Sequence, residues 1–180
     1  STSNLRNKDL TQIKFMASKE LRQIKKKTLQ AIDEVENEFL KKLLTDILIA
    51  GPYKEKFFLA PGAKSYHHAY RGGLAEHTLQ VLNAALKMVE AYEKEVKINK
   101  DLIITAAILH DLGKIDSYKY DEHGNIQVTD IHKKINHISR TVEIVSKYIP
   151  LEKENELTKH LIHIILSHHQ FKEWGSPVEP

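Results

Sequence analysis

The sequence predicts an all-α fold. Apolar residues return at three- and four-residue steps over most of its 180 positions, no Gly or Pro occurs before Gly51, and the only stretch that alternates apolar and polar residues is short. In LRNKDLTQIKFMASKELRQIKKKTL, Leu10, Ile13, Leu21 and Ile24 fall on one face of an amphipathic helix. A second helix is expected from Asp33, as its N-cap, to about Ile49, closed by Gly51-Pro52. Segment 51–73, with Pro61, Gly62, Gly72 and Gly73, lacks helical spacing and reads as an ordered loop.

It leads into a third helix at about 74–95, whose apolar face uses Leu74, Val81, Leu82, Ala85 and Val89. A fourth starts near Asp101 and runs through LIITAAIL into HDLGK, where Gly113 is a natural stop. An apolar run of that kind belongs at the centre of a bundle. Ile115–Asp130, around DEHGN, reads as a short hairpin or a loop, and helices at about 134–148 and 153–169 follow. The boundary near 50–60 is expected to separate an N-terminal helical arm, 1–55, from a globular domain, 56–180.

The composition, 41% hydrophobic and 28% charged, supports a buried core and excludes a disordered tail. No apolar run reaches the ~18 residues of a membrane span, and STSNLRNKDL lacks the apolar centre of a signal peptide, so a cytoplasmic protein is expected. The absence of Cys rules out disulfide scaffolds, thiolate nucleophiles and thiolate zinc sites; a metal here would be held by imidazole and carboxylate, and the chain has 11 His. A net charge of +3 does not announce a nucleic-acid binder, but residues 1–60 hold 12 Lys+Arg against 8 Asp+Glu. Lys25, Lys26 and Lys27 in that third are either a solvated helix face or an RNA-contacting patch.

The chemistry is concentrated at His77 on the third helix, the adjacent His110 and Asp111 at the end of the fourth, and Lys114 one turn on. His110 and Asp111 follow the apolar stretch LIITAAIL, which places them at the rim of the core, where a carboxylate is costly without a partner. A divalent cation held by two imidazoles and a carboxylate is such a partner. The plain alternative is that His110 caps its helix and Asp111 pairs with Lys114. His168 and His169 follow LIHIIL as His110 and Asp111 follow LIITAAIL, so two similar helix ends could meet at one pocket. His68 and Arg71, in the Gly-flanked loop before His77, are candidates to bind a phosphate. His160 is expected at the surface and His163 partly buried; Tyr70, Phe171 and Trp174 could stack on bases or simply pack.

HTLQV, AAILHDLGK, NHI and LSHH, in this order, resemble the HD-domain metal-dependent phosphohydrolase superfamily. HHAYRGGLAEHTLQVL, INKDLIITAAILHDLGKI and ILSHHQFKEWGSPVEP are similar to the catalytic domain of YhaM-type 3′-to-5′ exoribonucleases, over roughly residues 60–180. The resemblance implies an HD-domain helical bundle behind the N-terminal arm. It implies metal ligands at His77, His110 and Asp111, a catalytic or phosphate-binding Lys114, and His137, His168 and His169 toward a second metal. It also implies a distal Asp on a further helix, which the 180 residues do not reach, and an upstream OB-type domain that cannot be read here. The chain is therefore expected to be the catalytic portion of a longer enzyme. Asn136 stands where the family usually has Gly, which bears on the turn before His137.

The activity expected is metal-dependent hydrolysis of single-stranded RNA, or of DNA, from the 3′ end, with Asp111 and Lys114 as catalytic residues. One or two divalent ions would serve, Mn first, with Fe, Co, Ni or Zn acceptable to an imidazole-rich site. The alternatives are an HD-type nucleotidase and a catalytically idle RNA-binding module. The apolar stripe of the arm must be covered by the chain's own core or by a second subunit, which leaves a homo-oligomer open.

Overall fold

A computed structural model describes residues 18–65 and 67–168. Helix α1 (Ser18–Asp33) packs against helices α2 (Glu38–Leu48), α4 (Gly73–Tyr92) and α5 (Lys100–Leu109). The helical face of α1 that carries Ile24, Thr28, Ala31 and Ile32 is buried, and α2 buries Leu40, Leu43, Leu44, Ile47 and Leu48 in the same core. The arm's described stripe is thus covered by the chain's own helices.

The N-cap of α2 is Asn37, whose side chain accepts from the Leu40 amide; Asp33 instead ends α1. The carboxylate of Asp101 explains the shift. It accepts from the Asn37 amide at 2.8 Å and the Glu36 amide at 3.2 Å, so the turn is tied to the start of α5 from 64 residues away. No local pattern encodes that. Segment 51–73 is not all loop either: it contains α3 (Lys54–Leu59), which buries Phe57 and Phe58 edge to face.

Helix α5 is the bundle's centre, with Leu102 and every residue from Ile104 to Leu109 buried. It packs on α4, α2 and α8 (Glu156–Ser167). It ends at Leu109 rather than at Gly113, and a 3₁₀ turn, Leu112–Asp116, carries the chain on. Gly113 is needed there for close approach: a Cβ would lie 2.0 Å from the His137 carbonyl oxygen.

A small antiparallel hairpin follows, β1 (Tyr118–Tyr120) paired with β2 (Ile126–Val128). The single helix expected at 134–148 is two, α6 (Asp130–Lys134) and α7 (His137–Ser146). Asn136 divides them, because its extended backbone lets its side chain accept from the Ser139 amide at 2.8 Å as the N-cap of α7. Helix α8 begins with a capping box between Asn155 and Thr158, after a 3₁₀ turn at Leu151–Lys153. It turns Leu161 and Ile165 into the core, which leaves His160 and His163 exposed, so His163 is not the partly buried residue expected. No helix among the described residues is long and apolar enough to cross a membrane.

Candidate metal centre

Four elements converge on one carboxylate. Asp111 lies between α5 and the 3₁₀ turn, with its side chain only 4% exposed. Its Oδ2 faces His77 Nε2 from α4 at 3.3 Å, His110 Nε2 at 3.2 Å and Lys114 Nζ at 3.3 Å. Its Oδ1 faces His137 Nε2, from the first turn of α7, at 3.3 Å and His168 Nε2, at the end of α8, at 3.4 Å. The structure therefore brings together His77, His110, Asp111, Lys114, His137 and His168. His169, Phe171 and Trp174 lie outside the described residues.

The two apolar helix ends do meet, at Asp111, and in the same way. The rings of His110 and His168 lie 5.1 Å apart, edge to face. His110 Nδ1 is 2.6 Å from the Ala107 carbonyl oxygen, and His168 Nδ1 is 2.6 Å from that of Ile165. A carbonyl only accepts, so Nδ1 carries the proton in both rings and Nε2 of the neutral imidazole presents a lone pair. That lone pair points at a carboxylate oxygen. Two acceptors at this separation need a positive charge between them, either a proton on the ring or a metal ion. The chemistry of the donor set fits the latter: His77, His110 and Asp111 form one group whose ligand atoms all lie within 4.8 Å of one another, and Asp111, His137 and His168 form a second.

Proton affinities follow the same geometry. Burial opposes the charge on Asp111, but hydrogen bonds from His110, His137, His168 and His77 outweigh it and hold the carboxyl well below its usual range. Burial likewise disfavours His110 as a cation, yet the hydrogen bond and charge of Asp111 raise its pKa above the ordinary imidazole value. The plain alternative for this sequence, Asp111 paired with Lys114 and His110 bonded to its own helix, is present as well, and it coexists with the cluster.

His77, with a side chain 32% exposed, marks the open side of the cluster, and His68 lies beyond it with ring centroids 5.1 Å apart. His68 has φ 62°, in the left-handed region, and its carbonyl accepts from the Gly62 and Tyr70 amides. Its Nε2 lies 3.0 Å from Gln80 Oε1 and 3.5 Å from Glu76 Oε1. Tyr70 donates to the same Glu76, and Arg71 lies over the Tyr120 ring at 5.7 Å.

Two features escaped the sequence reading. Thr141, buried on α7, accepts from the Gly113 amide at 2.7 Å and donates to the His137 carbonyl at 2.7 Å, which locks the 3₁₀ turn to the base of α7. Its signal was a Thr on the apolar face of that helix. Tyr118 and His132 stack beside the cluster, and nothing in their spacing marks them.

The HD domain family profile matches residues 74–179, which include all six residues of the cluster. The chain belongs to the HD domain family. Among the described residues its architecture is helical apart from one short two-stranded hairpin. This HD domain is 35% identical over 158 residues to the 3′-5′ exoribonuclease YhaM of Listeria monocytogenes serotype 4b, an alignment covering 84% of the chain and 46% of that protein. It is 32% identical over 177 residues to the protein of the same name from Oceanobacillus iheyensis, covering 97% and 53% respectively. The Bacillus licheniformis counterpart is 33% identical over 158 residues, again 84% and 46%. The chain spans about half the length of the curated relatives it matches. No solved structure matches it significantly.

Proposed function

We propose that this HD domain hydrolyses phosphodiesters of single-stranded RNA from the 3′ end, with one or two divalent cations held at Asp111. The observation that carries the metal is the pair of imidazole lone pairs, from His110 and His168, aimed at the two oxygens of one buried carboxylate. His77, His110 and Asp111 would hold one ion, and Asp111, His137 and His168 a second, with His169 the adjoining candidate. The donor set suits Mn, Fe, Co, Ni or Zn, and manganese is our first choice. A divalent cation in such a site draws in phosphate oxygens and acidifies water.

The remaining work falls to the chain's own groups. Lys114, mostly buried with its ammonium at Asp111, sets a fixed positive charge beside the place a phosphate would occupy, which is electrostatic stabilisation of charge that grows in the transition state. Asp111 stays ionised and orients the imidazoles around it. On the open side, beyond His77, His68 and Arg71 would meet a phosphate further along the strand. RNA as substrate is supported by the names of relatives that are 32–35% identical to most of this chain.

The test uses a 5′-labelled single-stranded RNA with manganese. The expected result is a ladder shortening from the 3′ end, abolished by EDTA and by Asp111→Asn. Release of phosphate from free nucleotides with the RNA untouched would replace this reading by a nucleotidase. RNA binding without hydrolysis, in a metal-loaded protein, would replace it by an idle binding module.

A further inference from the structure

The hairpin β1–β2 and helix α6 occupy residues 118–134, between Lys114 and His137, the two cluster residues that flank them in the chain. A two-stranded sheet of three residues a side has no core of its own and is not self-sustaining. This one is held at its base. Thr129 donates from Oγ1 to the Asp116 carbonyl and from its amide to the Ser117 carbonyl, at 3.0 Å for the latter, and Arg140 grips the Asp116 carboxylate at 2.8 Å. A projection fixed so firmly beside a candidate metal centre calls for a reason, and its aromatic side chains supply one.

The rings of Tyr118 and His132 are stacked, 5.9 Å between centroids at an interplanar angle of 29°. The other ring pairs around the site are tilted or edge to face. Neither residue is fully buried, and neither belongs to the hydrophobic core. The imidazole is held in place by Ser117 Oγ, 3.0 Å from His132 Nδ1, and Ser117 is itself buried. Both rings sense the cluster: burial and then the Asp111 charge push the Tyr118 phenol up, while burial and then the charges of His137 and Lys114 push His132 down.

We propose that the stacked Tyr118–His132 pair is the platform for the nucleobase adjacent to the scissile phosphate, a role that rests on the phosphodiesterase reading above. A flat π-surface beside a phosphate site grips any base, since every base has a π-face, and it sets the strand's register without reading its sequence. Arg71 lies over the ring of Tyr120, at the end of β1, and so joins the hairpin to the loop that carries His68. Tyr118 and His132 are positioning residues here.

The probe is an RNA oligomer with a dye at its 5′ end, 2-aminopurine as its last base and a non-hydrolysable phosphonate as its last link, added to the manganese-loaded chain. Dye anisotropy reads binding, and 2-aminopurine fluorescence reads stacking. The expected result is a rise in anisotropy with quenching of the base. In Tyr118→Leu and His132→Leu the quenching disappears and affinity falls about five- to hundredfold, the range expected for losing one stacked base, while Tyr118→Phe keeps both signals. A rise in anisotropy with no quenching, or with quenching equal in the parent chain and the Leu variants, overturns the platform and leaves the RNA reading standing. A flat anisotropy trace overturns the RNA reading and the platform with it.

Discussion

Replacing Gly113 with Ala tests how rigidly the two halves of the cluster are joined. The added Cβ would lie 2.0 Å from the His137 carbonyl oxygen, 2.7 Å from the Thr141 amide nitrogen and 2.9 Å from Thr141 Oγ1. Gly113 is not among the glycines with positive φ, so backbone freedom is not at issue and the clash alone decides. All three atoms belong to the first turn or so of α7, and the two nearest are backbone, so the clash is not relieved by a side chain swinging aside. Restoring ordinary contact requires the 3₁₀ turn and α7 to part by about 1.4 Å, a disturbance of the overpacking kind that costs roughly 1–3 kcal/mol. The same movement breaks the Gly113–Thr141 bond, worth about 1 kcal/mol more. For a chain of this size each kcal/mol lowers Tm by about 2–4 °C, so Gly113→Ala should melt roughly 5–15 °C below the parent. The two candidate metal-ligand groups ride on opposite sides of the joint, His110 with α5 and His137 with α7. Misplacement on the scale of 1 Å costs a catalytic site about 10²-fold, so turnover of RNA should fall by that order and metal bound per chain should drop. Gly124→Ala is the control: a Cβ there meets nothing within 4 Å and φ is +76°, so it should cost about 1–2 kcal/mol through backbone strain and leave metal content unchanged. Differential scanning calorimetry and elemental analysis read both variants. A Gly113→Ala protein that melts within 2 °C of the parent and keeps its metal refutes the argument that this contact is fixed.

Lys114→Ala should lower kcat on RNA by about 10²–10³ while the metal content holds, the signature of a lost electrostatic donor; loss of metal instead would assign Lys114 to neutralising Asp111. A pH prediction follows from His110. Its raised pKa means that the metal-free fold is favoured by the proton on this ring, a contribution complete below the unfolded imidazole value of about 6.5 and lost as pH rises through the folded value. Asp111, with its pKa depressed, contributes above the unfolded carboxylate range and loses that only as pH falls through its lowered value, so it stays charged across this window. A metal must displace the His110 proton, so manganese should raise Tm more at pH 8 than at pH 6, against an EDTA-treated reference whose own Tm falls over the same interval. An equal manganese-induced shift at both pH values would contradict the proton assignment.

The sequence alone determined most of the helical framework, because burial repeats every three to four residues along α1, α2, α4 and α8, a period written locally, and α5 is an unbroken apolar run buried almost throughout. It also marked the chemistry: the run LIITAAIL ahead of His110-Asp111, and LIHIIL ahead of His168, announce polar groups delivered at the rim of a core. Where it misled, the deciding interaction came from far along the chain. Asp33 looked like a cap until Asp101 held the turn at Asn37, and Gly113 looked like a helix stop until α7 pressed against it. Asn136 was a mismatch in a motif, and in three dimensions it caps the helix that presents His137. Only the tertiary structure placed four imidazoles around the two oxygens of Asp111, fixed the proton positions of His110 and His168 through their own helices' carbonyls, and laid Tyr118 on His132 beside them. Periodicity along a chain fixes which face of each helix is buried, whereas the distance between helix ends depends on how those faces pack together.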